Sequence, residues 1–295
     1  MSSVLAIDIG GTKIAAAIVD ERGGVHAEHE TPTRAPSAEA LFDRLVTMCD
    51  GVLAESGAEP SALSGIGVGC GGPMRYPEGE VSPLNIQVWR RFPLRDRLQR
   101  HYGRPTVVDN DAKAYALGEY WIGGGVGARG LLGIVVSTGV GGGIVLNGGL
   151  VHGAHGNAGH IGHVKVRARG PRCPCGALGC VEAIASGTSL VRLARRSAAR
   201  RGESLPAELT AADLQKRAQD GDPYSLALFR DAGTALGAGI ADAANLIDLD
   251  RVVIGGGVSR AADLFWPSLR ETLERNARLD FTRNLDVRVS ELRVS

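Results

Sequence analysis

The sequence carries one short pattern twice, and this repetition limits the folds that the chain can adopt. An apolar run, a glycine turn and a second apolar run span residues 4–9 and 14–19, and the pattern returns at residues 131–137 and 144–146. Apolar runs interrupted by glycines are typical of two strands joined by a tight turn. Two copies of one motif indicate an internal duplication, so we predict two lobes that each begin with such a strand pair.

The remaining sequence predicts strands that alternate with helices. Apolar spacing predicts helices over 38–55, 111–120 and 224–247, and short apolar runs predict strands over 25–31, 66–70, 106–108, 251–254 and 285–289. With 295 residues, of which 44% are hydrophobic, the chain can bury a large core. We therefore expect an α/β protein with a small N-terminal lobe over residues 1–112 and a large lobe over residues 113–295.

The charge of the chain gives no indication of a nucleic-acid or membrane partner. The sequence has 33 Lys and Arg residues against 32 Asp and Glu residues, for a formal net charge of +1. Its densest basic run, residues 192–201, follows a helical pattern and is interpreted as a solvated helix face. No apolar segment approaches the roughly 20 residues that a membrane-spanning helix needs.

The N-terminus and two cysteines predict a cytoplasmic location. The first residues enter a strand pattern without the basic region and cleavage site of a secretory signal. Cys49 and Cys70 stand alone in apolar segments, which is typical of buried thiols in a reducing compartment.

Three glycine turns have a composition that suits phosphate binding through backbone N–H groups. In the first, at residues 8–13, Thr12 can add a hydroxyl donor and Asp8 can hold a hydrated Mg²⁺. The others lie at residues 137–143 and at residues 255–257, which open a helix. A plain hairpin turn would explain any one of them, but three suggest a nucleoside triphosphate, bound without a GxxxxGKS/T loop. The candidate nucleotide-binding residues are Asp8, Gly10, Gly11, Thr12, Lys13, Thr138, Gly139, Gly256 and Gly257.

Asp111 is the candidate acid–base residue. It lies where a predicted strand ends and a predicted helix begins, so its carboxylate can face solvent rather than the core. Phosphoryl transfer to an alcohol needs such a carboxylate to orient the hydroxyl and accept its proton. The alternative is structural, because Asp109 or Asn110 in the same segment would also suit a helix N-cap.

One histidine and three cysteines form a complete ligand set for zinc. His163, Cys173, Cys175 and Cys180 supply one imidazole and three thiolates at short spacing. A catalytic zinc usually keeps one position for water or substrate, whereas four protein ligands close the coordination shell. We therefore predict a structural zinc ion that shapes a site without performing the chemistry.

Five motifs together resemble the ROK family, named for repressors, open reading frames and kinases. They are DIGGTK at 8–13, DNDAKAYALGE at 109–119, STGVGGGIV at 137–145, GNAGHIGHV at 156–164 and CPCGALGCVEAIASG at 173–187. The resemblance implies an actin-like, hexokinase-type fold in which two α/β lobes close over ATP and a sugar. It also implies transfer of phosphate from ATP to a hexose hydroxyl, commonly on carbon 6, with Mg²⁺ bridging the phosphates.

The resemblance also assigns roles to single residues. Asp111 matches the catalytic base, and Asn110 matches a neighbour that holds sugar hydroxyls. Glu182 matches a carboxylate near carbons 1 and 2, while His163 matches a residue with one ring nitrogen on zinc and the other on the sugar. The substrate-binding positions are Gly72, Asn85, Asn110, Asp111, His160, His163 and Glu182. Asn85 would equally suit a turn.

His160 departs from the family pattern, in which sugar kinases usually have Glu at this position. An ionised Glu only accepts hydrogen bonds, whereas a neutral histidine offers one donor and one acceptor. The change either leaves an ordinary hexose bound less tightly or alters specificity around carbons 1 and 2. Glucose is the first candidate substrate, followed by mannose, an N-acetylated hexosamine or a C7 cyclitol.

Further expectations concern the chain end, the alternative functions and the assembly. Family members usually continue past a strand like 285–289 into a helix that returns to the small lobe, whereas this sequence stops at Ser295, so we expect either that the helix is missing or that the sequence is truncated. A repressor of the family would carry a helix-turn-helix domain ahead of Asp8, and a non-catalytic sugar-binding protein would more readily lack Asp111 or a phosphate loop. The resemblance therefore favours the kinase, and it suggests a homodimer or homotetramer.

Overall fold

The computed structural model describes residues 2–292 and divides them into two units. Unit one contains residues 2–114 and 152–157, and unit two contains residues 115–151 and 158–292. The lobes predicted over 1–112 and 113–295 remain a prediction. The expectation about a missing C-terminal helix lies outside the described residues.

Unit one is built on a five-stranded sheet. Its strands are β1 Ser3–Ile9, β2 Lys13–Asp20, β3 Val25–Pro32, β4 Gly65–Cys70, β5 Met74–Arg75, β6 Glu80–Val81, β7 Phe92–Pro93 and β8 Thr106–Asn110, and its helices are α1 Ala38–Ser56 and α2 Leu94–Tyr102. The main sheet has the order β3-β2-β1-β4-β8, and the short β5, β6 and β7 form a separate sheet. Helix α1 places Leu41, Leu45 and Val52 against this core, where Cys49 and Cys70 are also fully buried. The helix begins at the Ser37 N-cap, whose hydroxyl accepts from the Ala40 N–H.

Unit two repeats this sheet and adds most of the helices. Helix α3 Asp111–Ile122 leads into it, followed by β9 Gly130–Val136, β10 Val140–Leu146, β11 Gly149–Leu150, α4 Val181–Ala185, α5 Gly187–Arg200, α6 Ala211–Gln219, α7 Pro223–Ile247, β12 Arg251–Gly255, α8 Ala262–Asn276 and β13 Asp286–Val289. Short 3₁₀ turns lie at Ile161–His163 and Gly257–Ala261 in this unit, and at Pro60–Ala62 in unit one. Helices α7 and α8 pack closely because Gly233 and Gly237 have no side chains, since a Cβ there would lie 2.1 and 2.5 Å from carbonyl oxygens of α8.

The predicted duplication is confirmed in the topology of the two sheets. The sheet of unit two has the order β11-β10-β9-β12-β13, so in both sheets two antiparallel neighbours lie on one side of the first strand and two parallel strands on the other. The predicted start of β10 at residue 144 was wrong, because the strand begins at Val140. Gly142 belongs to that strand rather than to a turn, and a Cβ on it would lie 2.8 Å from the Gly159 carbonyl oxygen. Gly142 therefore allows the backbone at Gly159 to pack closely against β10. The turn consists only of residues 137–139.

The predicted basic helix is present in the structure. The basic run lies mainly on α5, where the Arg192 and Arg195 guanidinium groups donate to nearby backbone carbonyls. Among residues 2–292, the helices include none with the length and apolar character needed to cross a membrane.

Candidate functional site

In unit one, the candidate site lies at the carboxyl ends of three parallel strands. Asp8 of β1 aligns with Gly69 of β4, which aligns with Asp109 of β8. Ligands of open α/β sheets bind outside these strand ends. A Cβ on Gly69 would lie 3.5 Å from Asp111 Cα and 3.7 Å from Asp8 Oδ1, so Gly69 lies directly beside both predicted site residues. The structure thus brings Asp8 and Asp111 together, and both are exposed.

The two carboxylates influence each other electrostatically. Desolvation by surrounding protein atoms, followed by the negative charge of Asp111, raises the pKa of Asp8, and the Lys13 ammonium partly offsets this. Asp8 is nevertheless exposed to solvent. Burial, reinforced by the same two carboxylates, raises the pKa of the neighbouring Cys70 thiol. Two accessible carboxylates suit a hydrated Mg²⁺, because this cation prefers oxygen ligands and retains several waters.

Asn110 caps the N-terminus of α3, which was one of the alternatives that the sequence allowed. Its side-chain oxygen accepts from the Ala112 N–H at 3.1 Å, as an N-cap does. Asp111 Oδ1 accepts from the same N–H at 2.8 Å. Asp111 Oδ2 points toward Gly71, 4.0 Å from the position of a Cβ there. The capping interpretation therefore holds for Asn110, and Gly72 follows immediately in the same loop.

The first glycine turn is anchored and meets another predicted site residue. Thr33 fixes it twice, because its N–H donates to the Thr12 carbonyl at 3.0 Å and its hydroxyl donates to the Gly11 carbonyl at 2.8 Å. A Cβ on Gly11 would lie 2.9 Å from Asn85 Nδ2, so the amide of Asn85 packs directly on the turn. Lys13 instead donates to Glu30 at 2.8 Å, and this hydrogen bond raises the pKa of Lys13.

A buried ion pair behind Asp111 was not anticipated from the sequence. The Lys113 ammonium, whose side chain is 1% exposed, lies 3.1 Å from Asp109 Oδ1 and donates to the Gly156 carbonyl at 2.6 Å. Asp109 Oδ1 also accepts from the Asn110 N–H at 2.7 Å, and its Oδ2 lies 3.1 Å from His152 Nδ1. The pair thus fixes the backbone that carries Asn110 and Asp111.

We expect Lys113→Met to lower the free energy of unfolding by about 3 kcal/mol, because it leaves the Asp109 carboxylate buried without its cation. Urea unfolding monitored by circular dichroism measures the change. The matched control is Lys216→Met, which removes an exposed lysine at the same i,i+4 spacing from an aspartate and should change stability by less than about 0.5 kcal/mol. Equal effects of the two substitutions would refute a special role for the buried pair.

In unit two, a cavity of about 680 Å³ adjoins two of the predicted phosphate turns. Ser137, Thr138 and Gly257 line it at the turns, while Val191, Leu209, Phe229, Val258 and Ala261 form an apolar wall. Polar residues that the sequence did not single out also line it, namely Thr188, Thr210, Gln215 and Arg260. Thr210 and Asp213, three residues later, form the capping box that begins α6, and this spacing is recognisable in the sequence. A capping box, however, does not indicate a ligand. The cavity combines an apolar wall with backbone donors, as nucleotide sites do.

The third glycine turn can be made only by glycine. Gly256 has φ 91°, and a Cβ there would lie 2.5 Å from the Val136 carbonyl oxygen of β9. The following 3₁₀ turn, Gly257–Ala261, is fixed by the Ser259 hydroxyl, which donates to the Gly256 carbonyl at 2.7 Å. The predicted Gly256 and Gly257 therefore lie at the start of a short helical segment.

The four predicted metal ligands meet in unit two. The ligand atoms of His163, Cys173, Cys175 and Cys180 all lie within 4.8 Å of one another. Cys175 Sγ is 3.8 Å from Cys180 Sγ, and Cys173 Sγ is 3.7 Å from His163 Nδ1. Tetrahedral zinc with Zn–S bonds near 2.3 Å requires ligand separations of about 3.8 Å, so this donor set fits the ion.

The four predicted metal ligands are held by a tightly packed loop. Gly179, at φ 75°, passes so close to Arg167 that a Cβ would lie 1.7 Å from the Arg167 carbonyl oxygen. Burial raises the pKa of the Cys173 thiol to about 12 and also raises that of Cys180. A backbone hydrogen bond from Ala177 lowers the pKa of Cys175. Metal binding would therefore release protons from the thiols.

Two predicted sugar-binding residues adjoin this cluster. Glu182 Oε2 accepts from the Val140 N–H at 3.0 Å, and Glu182 Oε1 lies 3.9 Å from Cys173 Sγ. The imidazole of His160 lies beside that of His163, with ring centroids 6.0 Å apart and an angle of 28° between the ring planes. Unit two thus contains Glu182, His160 and His163 in one neighbourhood, and unit one contains Asp8, Asn85, Asn110 and Asp111 in another.

Comparisons with known proteins extend over nearly the whole chain. The family model described as ROK family matches residues 4–294. A glucokinase from Halalkalibacterium halodurans is 38% identical in an alignment of 283 positions that covers 92% of this chain and 86% of that protein. An N-acetylmannosamine kinase from Shigella flexneri is 38% identical over 260 residues, or 88% of this chain and 84% of that protein. The crystal structure of a ROK family glucokinase from Streptomyces griseus in complex with glucose and AMPPNP matches with a TM-score of 0.82 at 33% identity, covering 99% of this chain and 95% of that one.

Proposed function

The chain belongs to the ROK family and is an ATP-dependent sugar kinase with the actin-like, hexokinase-type fold, and we propose that it converts glucose to glucose 6-phosphate with Asp111 as general base. The observation that carries this proposal is the position of Asp111. Its accessible carboxylate lies at the carboxyl ends of parallel strands beside Asp8, where a hydroxyl and a metal-bound phosphate can both be bound.

The cavity of unit two supports ATP as the phosphate donor. Its apolar wall suits an adenine ring, and Thr138 and Gly257 suit the phosphates through hydroxyl and backbone N–H donors. In unit one, the turn formed by Gly10, Gly11 and Thr12 also has a composition that suits phosphate. Mg²⁺, when bound near Asp8, neutralises phosphate charge. The chain's own contribution is to position the γ-phosphoryl group and to exclude water.

The proposed step moves one proton and one phosphoryl group. The sugar hydroxyl donates its proton to the Asp111 carboxylate while its oxygen forms a bond to the γ-phosphorus of ATP, whose bond to the bridging oxygen breaks to leave ADP. Asn110 donates its side-chain N–H groups to sugar hydroxyls, because its oxygen already caps α3. The buried Lys113–Asp109 pair keeps this corner rigid.

The remaining sugar contacts would come from Glu182, His163, Asn85 and Gly72. His163 Nδ1 faces the thiols of the metal cluster, which leaves Nε2 for a sugar hydroxyl. Structural Zn²⁺ at this cluster would fix the ring orientation and tautomer. Zinc would therefore support the sugar site without taking part in phosphoryl transfer.

N-acetylmannosamine is the second candidate acceptor. The similarity to N-acetylmannosamine kinases reaches the same 38% identity as the similarity to a glucokinase. His160, beside His163, offers a hydrogen-bond donor that a carboxylate would not, and this donor suits an acetamido carbonyl.

Coupled ADP-release assays test the proposal with glucose, mannose, fructose, N-acetylglucosamine, N-acetylmannosamine and a C7 cyclitol. We expect the highest kcat/KM with glucose, and we expect His160→Glu to change the ratio of glucose to N-acetylmannosamine by about tenfold or more, because a side chain that can donate and accept is replaced by one that only accepts. The control is His155→Glu, an exposed histidine in the preceding loop. An unchanged ratio would exclude His160 as a specificity residue, and no turnover on any sugar would contradict the proposed acceptors.

Compartment and assembly remain predictions. The five cysteines are free, which suits the reducing cytoplasm. The family resemblance suggests a homodimer or a homotetramer.

A further inference from the structure

The side chain of Glu182 connects two parts of unit two that are far apart in sequence. It lies in the first turn of α4, two residues after Cys180, and reaches the turn between β9 and β10. There its Oε2 accepts from the Val140 N–H at 3.0 Å. A hydrogen bond to a carboxylate is roughly twice as strong as one between neutral groups.

Gly139 provides the space for this carboxylate. A Cβ on Gly139 would lie 2.8 Å from Glu182 Oε2, which is closer than real side chains approach. The only other atom near this Cβ would be the carboxyl carbon of Glu182, at 3.8 Å. A side chain at residue 139 would therefore block the Glu182 carboxylate from reaching the Val140 N–H.

The turn that Glu182 holds is also the turn that lines the cavity. Ser137 and Thr138 both contribute to the cavity wall. The turn is closed by the Ser137 N–H, which donates to the Gly139 carbonyl at 2.9 Å, and by the Gly187 N–H, which donates to the Ser137 carbonyl at 2.8 Å. Glu182 adds a charged acceptor at the end of the turn where β10 begins.

We propose that Glu182 is a positioning residue for the nucleotide turn 137–140, in addition to any contact that it makes with sugar. By holding the Val140 N–H, its carboxylate sets the backbone that presents Thr138 to the cavity. The metal cluster supports this role, since Cys180 precedes α4 and Cys173 Sγ lies 3.9 Å from Glu182 Oε1. The inference depends on the proposed binding of ATP in this cavity.

Nucleotide binding in the absence of sugar tests the inference, because a residue that only contacts sugar would not affect it. The measurement is isothermal titration calorimetry of the 295-residue chain with AMPPNP and Mg²⁺. We expect Glu182→Ala and Gly139→Ala each to raise the Kd about tenfold, because the first leaves the Val140 N–H without its acceptor and the second displaces the carboxylate. Glu182→Gln should stay within about threefold of the unsubstituted protein, because the amide oxygen can still accept.

Gly118→Ala is the matched control, since a Cβ there meets no atom within 4 Å and the residue lies on α3 away from the turn. It should leave the Kd unchanged. Hydrogen exchange of residues 137–143 gives a second measurement, in which both Glu182→Ala and Gly139→Ala should exchange faster than the unsubstituted protein. Unchanged Kd and exchange in both variants would overturn the inference. Failure of the unsubstituted protein to bind AMPPNP would instead contradict the proposed function.

Discussion

Replacing Asp111 with asparagine should lower kcat about a thousandfold, because a general base contributes roughly 10²–10⁴ to the rate. Asparagine keeps the shape of the side chain and can still accept from the Ala112 N–H, but it cannot accept the proton of the sugar hydroxyl. The KM for glucose should change much less than kcat, since most of the sugar contacts remain. Steady-state glucose phosphorylation, followed through ADP release, measures both constants.

The same substitution should not destabilise the protein at pH 7. The charge of Asp111 raises the pKa of Asp8, although desolvation is the larger cause. A carboxyl group whose folded pKa lies above its unfolded value gives stability below the unfolded pKa and loses it as pH rises through the folded pKa. Neutralising Asp111 lowers the pKa of Asp8 and reduces that loss. We therefore expect Asp111→Asn to have a Tm at pH 7 equal to or above that of the unsubstituted protein, with the difference disappearing toward pH 3.

Asp43→Asn is the control for both measurements, because Asp43 is an exposed aspartate on α1 of the same unit. It should change neither kcat nor Tm. If Asp111→Asn retained near-normal kcat and raised only the KM, Asp111 would bind sugar without acting as base. A clearly lower Tm would show that the carboxylate is structural.

The sequence predicted the fold best where the local pattern and the tertiary environment agree. The strands β1, β4 and β12 are short apolar runs that are buried in a sheet, and α7 follows its apolar spacing closely. The start of β10 was misplaced because glycine serves two purposes. Gly139 and Gly142 look alike in a sequence, but one admits a carboxylate and the other admits a backbone carbonyl.

The candidate site was harder to predict from the sequence, because the residues that contact each other there are far apart along the chain. Lys113 lies on a helix where a charged residue is expected to face solvent. Its burial depends on Asp109, four residues earlier at the end of β8, and on the carbonyl of Gly156, 43 residues away. Likewise, the cavity collects side chains from α5, α6 and the turn before α8, and nothing in the local sequence links them. The metal ligands were predictable because their identity and short spacing alone restrict the chemistry.

The second large effect is expected from the metal cluster. Cys175→Ser should remove stoichiometric zinc and lower the free energy of unfolding by about 4 kcal/mol or more, because metal loss is among the few causes of such large changes. A serine hydroxyl is a poor ligand beside a thiolate, and three remaining ligands bind zinc far less tightly. Elemental analysis of the purified protein and urea unfolding measure the two quantities. The control is Ala177→Ser, which introduces the same side chain at an exposed position of the same loop.

The metal should affect sugar binding more than a distant structural ion would. His163 contributes one ring nitrogen to the cluster, and Glu182 Oε1 lies 3.9 Å from Cys173 Sγ, so both candidate sugar contacts depend on its geometry. We therefore expect Cys175→Ser to raise the KM for glucose at a temperature where the variant is still folded, while Ala177→Ser leaves it unchanged. Zinc added back to chelated, unsubstituted protein should restore both stability and KM. If Cys175→Ser kept its zinc, its stability and its KM, the cluster would not be the zinc site, because a closed four-ligand shell cannot lose a ligand without consequence.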